Sequence, residues 1–156
     1  MALSPDIIKA AQEAQRKWGV WASVSLAQFG VESAWGRAMP AGSHNPFGIK
    51  ALPGHPSVAA RTREVFHGRS VYIVDRFAAF KDFSEAFDEH AKLLATSHYY
   101  APAMAHAFGK NSGGADEFAE GLHAYATDPH YIQTITGVMR SMNLYQYDTL
   151  PAEAVA

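Results

Sequence analysis

The sequence predicts a mostly helical α+β domain that carries one small β-hairpin lobe. Segments with helix-start and helix-stop signals occupy both halves of the chain, and one stretch rich in β-branched and aromatic residues lies between them. A chain of 156 residues has the length of one domain. We therefore expect residues 1–148 to form a single domain and residues 149–156 to be a disordered tail.

The first helix is marked at both ends. Ser4 is a suitable N-cap, Pro5 fits the first helical turn, and Asp6 places a negative charge near the helix N-terminus. Gly19 ends the amphipathic segment that follows. These signals predict a helix that packs one face against the rest of the domain.

A second helix, over about residues 22 to 34, is apolar nearly all round, which indicates a central and buried position. Three polar residues interrupt it, Ser25, Gln28 and Glu32, and helical spacing places them in one stripe. We expect this stripe to face a cleft or a polar network. Because apolar neighbours such as Val31 disfavour a charged carboxylate, we expect Glu32 to hold its proton near neutral pH.

The middle of the chain changes character twice. Prolines and glycines are dense from residue 37 to residue 60, which excludes a helix and predicts a structured loop of the kind that borders binding sites. Residues 61–80 are then rich in Val, Tyr, Ile and Phe, and His67-Gly68 splits them. This pattern predicts a β-hairpin with a two-residue turn.

The second half of the chain has the pattern of helices separated by turn residues. Three helical segments are divided by Pro102, Gly109 and the Gly113-Gly114 pair. Asp128-Pro129 then provides the start of a last helix that runs to about Met142.

Composition argues against several classes of function. The formal net charge is −2 and no run of Lys or Arg exceeds two residues, so we expect no nucleic-acid partner. The chain has no cysteine, and its eight histidines form no HExxH motif, so we expect solvated or capping histidines and neither a metal nor a cofactor. The N-terminus lacks a signal peptide and no run of about 18 apolar residues occurs, so no membrane span is expected.

Two glutamates are candidates for acid–base chemistry. Glu32 lies on the apolar helix, and Glu64 lies at the base of the predicted hairpin. Glycoside hydrolysis needs an acid that protonates the leaving oxygen, and often a second carboxylate that activates water or attacks the sugar. The alternative is a structural ion pair with a nearby arginine, for example Arg37, Arg61 or Arg63.

Among the many aromatic residues, Tyr125 is a further candidate. It lies at a helix end, just before the turn of residues 126–129. A phenol at such a place can reach a cleft, or its hydroxyl can serve a structural role, and the pattern alone leaves both open.

Three stretches together resemble a known family. They are SLAQFGVESAWGRAMPAGSHNPFGIKA, TREVFHGRSVYIVDRFAAFKDFSEAFDEHAKLL and YATDPHYIQTITGVMRSMNLYQYD. In this order they resemble the core motif, the β lobe with its following helix, and the closing segment of the glucosaminidase domain family, glycoside hydrolase family 73. The resemblance covers about residues 4 to 148, with His67-Gly68 where members often have Asn-Gly and Pro46 where leucine is common.

The resemblance implies a lysozyme-like fold in residues 1–148 and cleavage of the β-1,4 bond after N-acetylglucosamine in peptidoglycan. Carried over by position, Glu32 matches the general acid, Glu64 the second glutamate, and Tyr125 the tyrosine that supports the reacting sugar. Either Glu64 activates water for an inverting attack, or the 2-acetamido group of the sugar acts as internal nucleophile. The expected sugar-binding residues are Gln28, Trp35, Asn45, Phe47 and Tyr131.

Two other functions remain open at this stage. A lytic transglycosylase or muramidase also uses one buried Glu on a lysozyme-like helix, and a non-catalytic wall-binding module would retain only the fold. Because the chain shows no signal peptide, we expect synthesis in the cytoplasm and action in the periplasm or cell wall. A phage endolysin released through a membrane lesion, an injected antibacterial toxin and an excised domain of a longer surface or flagellar protein fit this expectation, and the compact domain with short tails favours the first two. The expected partners are the glycan strand and, for a toxin, an immunity protein in the cleft; we expect a monomer.

Overall fold

The computed structural model describes residues 3–152 and confirms a mostly helical α+β architecture. The helices are α1 Pro5–Trp18, α2 Ala22–Ser33, α3 Phe83–Thr96, α4 Ala101–Met104, α5 Ala115–Glu120 and α6 Tyr131–Ser141, with 3-10 turns at His98–Tyr100 and Leu144–Asp148. The antiparallel hairpin consists of β1 Ser57–Phe66 and β2 Arg69–Ala78. The end of the predicted disordered tail, residues 153–156, lies outside the described residues.

Helix α2 forms the centre of the helical body, as its composition predicts. Ten of its 12 residues are buried, and α1, α6 and the 3-10 turn Leu144–Asp148 pack around it. The expectation that Val31 surrounds Glu32 with buried apolar surface is wrong, because Val31 is 37% exposed and Glu32 also lies at the surface. The buried helix therefore emerges into solvent in its last turn.

The first backbone N–H groups of α2 donate to side chains from other parts of the chain, because its N-cap residue Trp21 makes no side-chain cap. The backbone N–H and the hydroxyl of Ser23 donate to the carboxylate of Asp148 at 2.8 and 2.7 Å. The backbone N–H of Ala22 donates to Gln15 Oε1 at 2.8 Å. Burial raises the pKa of Asp148 to about 6. These bonds tie the C-terminal segment and α1 to the central helix.

The C-terminus of α2 turns sharply into the following loop. Ala34, Trp35 and Gly36 have φ values of 51°, 60° and 85°, three left-handed residues in succession. The helix thus ends at Ser33, one residue before the expected end at about residue 34, and the hydroxyl of Ser33 accepts the Gly36 N–H at 2.8 Å. This turn folds the indole of Trp35 back over Gly30, where an added Cβ would lie 2.5 Å from the ring.

The hairpin forms where expected but begins earlier. His67 and Gly68 have φ values of 50° and 77°, which is the backbone of a type I′ turn. The predicted loop ended at residue 60, yet β1 starts at Ser57, because the proline and glycine cluster ends at Pro56 and the next residues pair with β2. Asn45 fastens the base of the hairpin, since its Nδ2 donates to the carbonyl of Ala78 at 3.0 Å.

The second half of the chain departs most from expectation. Helix α3 is a full helix capped by Asp82, but α4 and α5 have only four and six residues, and turns occupy most of the segment between them. The last helix, α6, starts at Tyr131 and not at Asp128-Pro129, because the Asp128 carboxylate accepts the His130 N–H at 2.8 Å within the preceding turn. Across residues 3–152, no helix is both long and apolar enough to cross a bilayer.

Replacing Gly30 by alanine should reduce stability by about 1–2 kcal/mol, because the new methyl group displaces the indole of Trp35. Gly137 is the matched control, since it is also helical and has no atom within 4 Å of an added Cβ. Gly137→Ala should raise stability by about 0.5–1 kcal/mol. Urea denaturation measures both, and equal stabilities of the two variants would contradict the packing described here.

Candidate active site

Glu32 lies on the last turn of α2, where the helix reaches the surface. Its carboxyl group keeps contact with solvent, yet the protein atoms around it remove part of its hydration and raise its pKa. In the part of the chain that the structure describes, Glu32 makes no ion pair, and the guanidinium of Arg37 donates to the Ala34 carbonyl at 3.0 Å. Within residues 3–152, neither Glu32 nor Glu64 pairs with an arginine, although Glu64 forms an ion pair with Lys50.

The hydroxyl of Tyr131, at the start of α6, lies beside the carboxyl group of Glu32. As a hydrogen-bond donor it lowers the pKa of Glu32, against the larger effect of burial, because a donor favours the charged carboxylate. Gln28 Nε2 donates to the oxygen of the same hydroxyl at 3.0 Å, which leaves the proton of Tyr131 available to Glu32. Burial and the charge of Glu32 raise the pKa of Tyr131, which keeps the phenol protonated as a donor.

Tyr125 belongs to the same cluster. Its ring stacks on Tyr131 with centroids 5.6 Å apart and an interplanar angle of 14°. Tyr100 and His90 flank it at 6.0 and 5.9 Å. Burial, followed by the neighbouring charges of Tyr131, Glu32 and Tyr100, raises the pKa of Tyr125 well above its ordinary value. The residues predicted at positions 32, 125 and 131 are thus brought together, and a neutral phenol stands beside the acid.

Glu64 lies on the hairpin, outside this cluster. It pairs across the strands with Val71, and Lys50 Nζ lies 3.6 Å from its carboxylate. The same ammonium group contacts Asp75 at 2.6 Å and lies over the ring of Phe77. Register places Glu64, Asp75 and Phe77 on one face of the hairpin, and we call this the acidic face.

Four of the five expected sugar-binding residues are buried, and Trp35 is partly exposed. Gln28, Asn45 and Phe47 are buried, Tyr131 is 6% exposed, and Trp35 packs on Phe29 and Gly30. The amide of Asn45 is used by the backbone: Nδ2 donates to two carbonyls, and Oδ1 accepts two N–H groups. Asn45 therefore has no free donor for a sugar and serves to position the loop.

Sequence reasoning missed His90. The expectation of a solvated or capping histidine is wrong here, because His90 is fully buried and stacks on Phe47 at 4.0 Å. Burial lowers its pKa to about 3, so the ring is neutral. The available signal was its position on the apolar face of α3, one turn after Phe87. Within residues 3–152, no three His, Cys, Asp or Glu side chains are grouped so as to hold a metal ion.

Comparison with known proteins assigns this arrangement to a family. The family model named Glucosaminidase, with the description mannosyl-glycoprotein endo-beta-N-acetylglucosaminidase, matches residues 8–144. The chain belongs to the glucosaminidase family. This membership places it among glycoside hydrolases and confirms the resemblance found in the sequence.

Individual glucosaminidase relatives agree with the family model. The exo-glucosaminidase LytG of Bacillus subtilis is 32% identical over 88% of this chain and 50% of its own length. The catalytic domain of an autolysin from Listeria monocytogenes superposes with a TM-score of 0.79 at 29% identity, covering 94% of this chain and 90% of that domain. A mutant peptidoglycan hydrolase from Sphingomonas sp. A1 superposes with a TM-score of 0.73 at 31% identity. The match covers 89% of this chain and 92% of that chain.

These glucosaminidase structures confirm the lysozyme-like fold. The chain spans between a fifth and a half of the length of the curated relatives it matches.

The effect of the Tyr131 hydroxyl should be visible in the titration of Glu32. Since this hydroxyl lowers the pKa of the acid, Tyr131→Phe should raise that pKa further. Tyr145→Phe is the matched control, because it removes another tyrosine–carboxylate bond, to Asp116 at 2.6 Å. Carbon-detected NMR of protein labelled at the glutamate carboxyl carbons measures the pKa. An unchanged or lower pKa of Glu32 in Tyr131→Phe would contradict the assignment.

Proposed function

We propose that this protein is a peptidoglycan hydrolase that cleaves the β-1,4 bond after N-acetylglucosamine. The observation that carries the proposal is the carboxyl group of Glu32, which burial biases toward its protonated form while leaving it within reach of solvent. Family membership and the similarity to LytG and to peptidoglycan hydrolases support this substrate. Gln28 fixes the hydroxyl of Tyr131 beside the acid, and a general acid benefits from such a positioned neighbour.

In the proposed reaction Glu32 gives its proton to the glycosidic oxygen as the C–O bond breaks. The leaving sugar departs as an alcohol, and positive charge develops at the anomeric carbon. Tyr131 then stabilises the carboxylate that Glu32 becomes, since its hydroxyl donates to that group. This hydrogen bond strengthens as charge appears on the acid, so it favours the transition state over the ground state.

The second half of the reaction needs a nucleophile at the anomeric carbon. We propose that Glu64, on the acidic face of the hairpin, removes a proton from the attacking water while Lys50 stabilises its charge. The alternative is attack by the substrate's own acetamido oxygen. Tyr125, neutral and packed against Tyr131, supports the reacting sugar in either route.

Glu32→Gln tests the proposed acid. Removing the proton donor should lower the rate of wall digestion by at least about 100-fold while the thermal unfolding midpoint changes little. Mass spectrometry of the products of the unaltered protein should show reducing N-acetylglucosamine ends. Reducing N-acetylmuramic ends would indicate a muramidase and 1,6-anhydro ends a transglycosylase. A folded protein without turnover would indicate a binding module, and an active Glu32→Gln variant would refute the role of the acid.

Glu64→Gln tests the proposed base. We expect kcat to fall by about 100-fold or more with KM little changed, and the first product of the unaltered enzyme to have inverted anomeric configuration. Asp75→Asn is the matched control, because Asp75 binds the same Lys50 from the same face. Full activity of Glu64→Gln together with retention of configuration by NMR would establish the acetamido route.

We further propose that the protein acts on the wall outside the cytoplasmic membrane as a monomer. An endolysin released through a membrane lesion and an injected antibacterial toxin both meet this requirement, and for a toxin we propose an immunity protein that occupies the cleft. The genes beside the coding sequence distinguish the two, since a lysis cassette accompanies an endolysin and a small inhibitor gene accompanies a toxin.

A further inference from the structure

The two faces of the hairpin differ in charge. Both of its carboxylates, Glu64 and Asp75, lie on the acidic face. Register places Arg61, Arg63 and Arg76 on the opposite face, and we call this the arginine face. No acidic side chain shares the arginine face, although the formal charge of the whole chain is −2. Three of the four arginines of the hairpin therefore lie on the arginine face, and the fourth, Arg69, lies on the acidic face.

The three arginines are ordered and lack acidic partners. Arg63 Nε donates to Ser70 Oγ at 3.0 Å, Arg76 Nε donates to Ser57 Oγ at 2.8 Å, and the guanidinium of Arg61 lies 4.1 Å from the centroid of the Tyr72 ring. Among residues 3–152 none of the three forms an ion pair. The guanidinium groups are thus held in place while their charge stays available to a ligand.

Their spacing matches an extended peptide. The three arginines occupy three successive cross-strand rows of one face, opposite Ala59, Val74 and Tyr72 in the register. Successive same-face rows lie about 7 Å apart, which is also the distance between alternate side chains of an extended chain. An acidic peptide can therefore place one carboxylate at each arginine.

The surface between the arginines is apolar and exposed. Val65, Tyr72 and Val74 share the arginine face and are 67%, 61% and 72% exposed. Arginine and tyrosine side chains on an exposed apolar surface are typical of protein recognition sites. A ligand that carries both carboxylates and small apolar groups would match the arginines and the apolar side chains between them.

We propose that the arginine face binds the acidic stem peptides of peptidoglycan, outside the sugar cleft. This inference rests on the proposed substrate, whose glycan strands carry short peptides with free carboxylates and alanine methyl groups. Because the arginine face points away from Glu64, the peptide it binds is not attached at the bond being cut. The hairpin then holds the enzyme on the wall through electrostatic contacts that salt weakens.

The test compares the triple variant Arg61→Gln, Arg63→Gln, Arg76→Gln with a control that removes equal charge elsewhere. The control replaces Lys9, Lys92 and Lys110 by Gln, three exposed lysines outside the hairpin. On intact purified peptidoglycan at low salt, the arginine variant should show about a tenfold higher KM with unchanged kcat, and the control should match the unaltered enzyme. On soluble glycan without stem peptides, all three proteins should be equal.

Stripping the stem peptides from peptidoglycan with an amidase should raise the KM of the unaltered enzyme to that of the arginine variant. An unchanged KM of the arginine variant on intact peptidoglycan would overturn the proposal. The proposal would also be overturned if the KM of the arginine variant rose only on walls that retain phosphate polymers, because the arginine face would then bind phosphate. Failure of the unaltered enzyme to cut peptide-free glycan would instead count against the proposed function. Co-sedimentation with intact peptidoglycan in a Glu32→Gln background gives the binding readout without turnover.

Discussion

The contact between the hydroxyl of Tyr131 and the carboxyl group of Glu32 joins the two parts of the chain on which the site depends. Glu32 lies in the last turn of the central helix, and Tyr131 begins the last helix. Gln28 orients the phenol from one turn earlier on α2, and Tyr125 covers its ring. The packing of α6 on α2 therefore sets the position of the Glu32 carboxyl group relative to Tyr131. A shift of either helix would change this position.

Two opposing effects act on the acid. Loss of hydration favours the protonated form, and the tyrosine donor favours the carboxylate. A general acid needs both, because it must hold a proton before the reaction and carry a charge after it. Partial exposure of Glu32 fits this need, since a fully enclosed carboxyl group would have no access for a sugar. The neutral, buried His90 adds no charge that would disturb this balance.

Local signals in the sequence account for the elements that local chemistry decides. The Ser4 cap, the Gly19 stop and the His67-Gly68 turn all lie where predicted, because each depends on a few adjacent backbone groups. Long-range partners could not be predicted in this way. Asp148 satisfies the start of α2 from 125 residues away. No local pattern distinguishes such an acid from a solvated one.

In the candidate site, too, local spacing could be predicted from the sequence and long-range contacts could not. Helical spacing placed Gln28 and Glu32 on one stripe, and both contact Tyr131. The loop residue Asn45 was expected at the sugar, yet the structure uses its amide on backbone groups, a role that depends on the folded loop. Whether a polar side chain faces a ligand or another part of the backbone is decided by tertiary structure, so residue type and spacing give only the candidates.

The attachment of the hairpin has a consequence for the position of its turn. Beyond its own two strands, the lobe is joined to the body at its base, where Ala78 bonds to Asn45 and Ile49 and Lys50 bridges to Phe77. Among the residues that the structure describes, these bonds lie at the base, and the turn at His67-Gly68 lies at the opposite end of the strands. The displacement of this turn relative to the helices therefore depends on the rigidity of the bonds at the base.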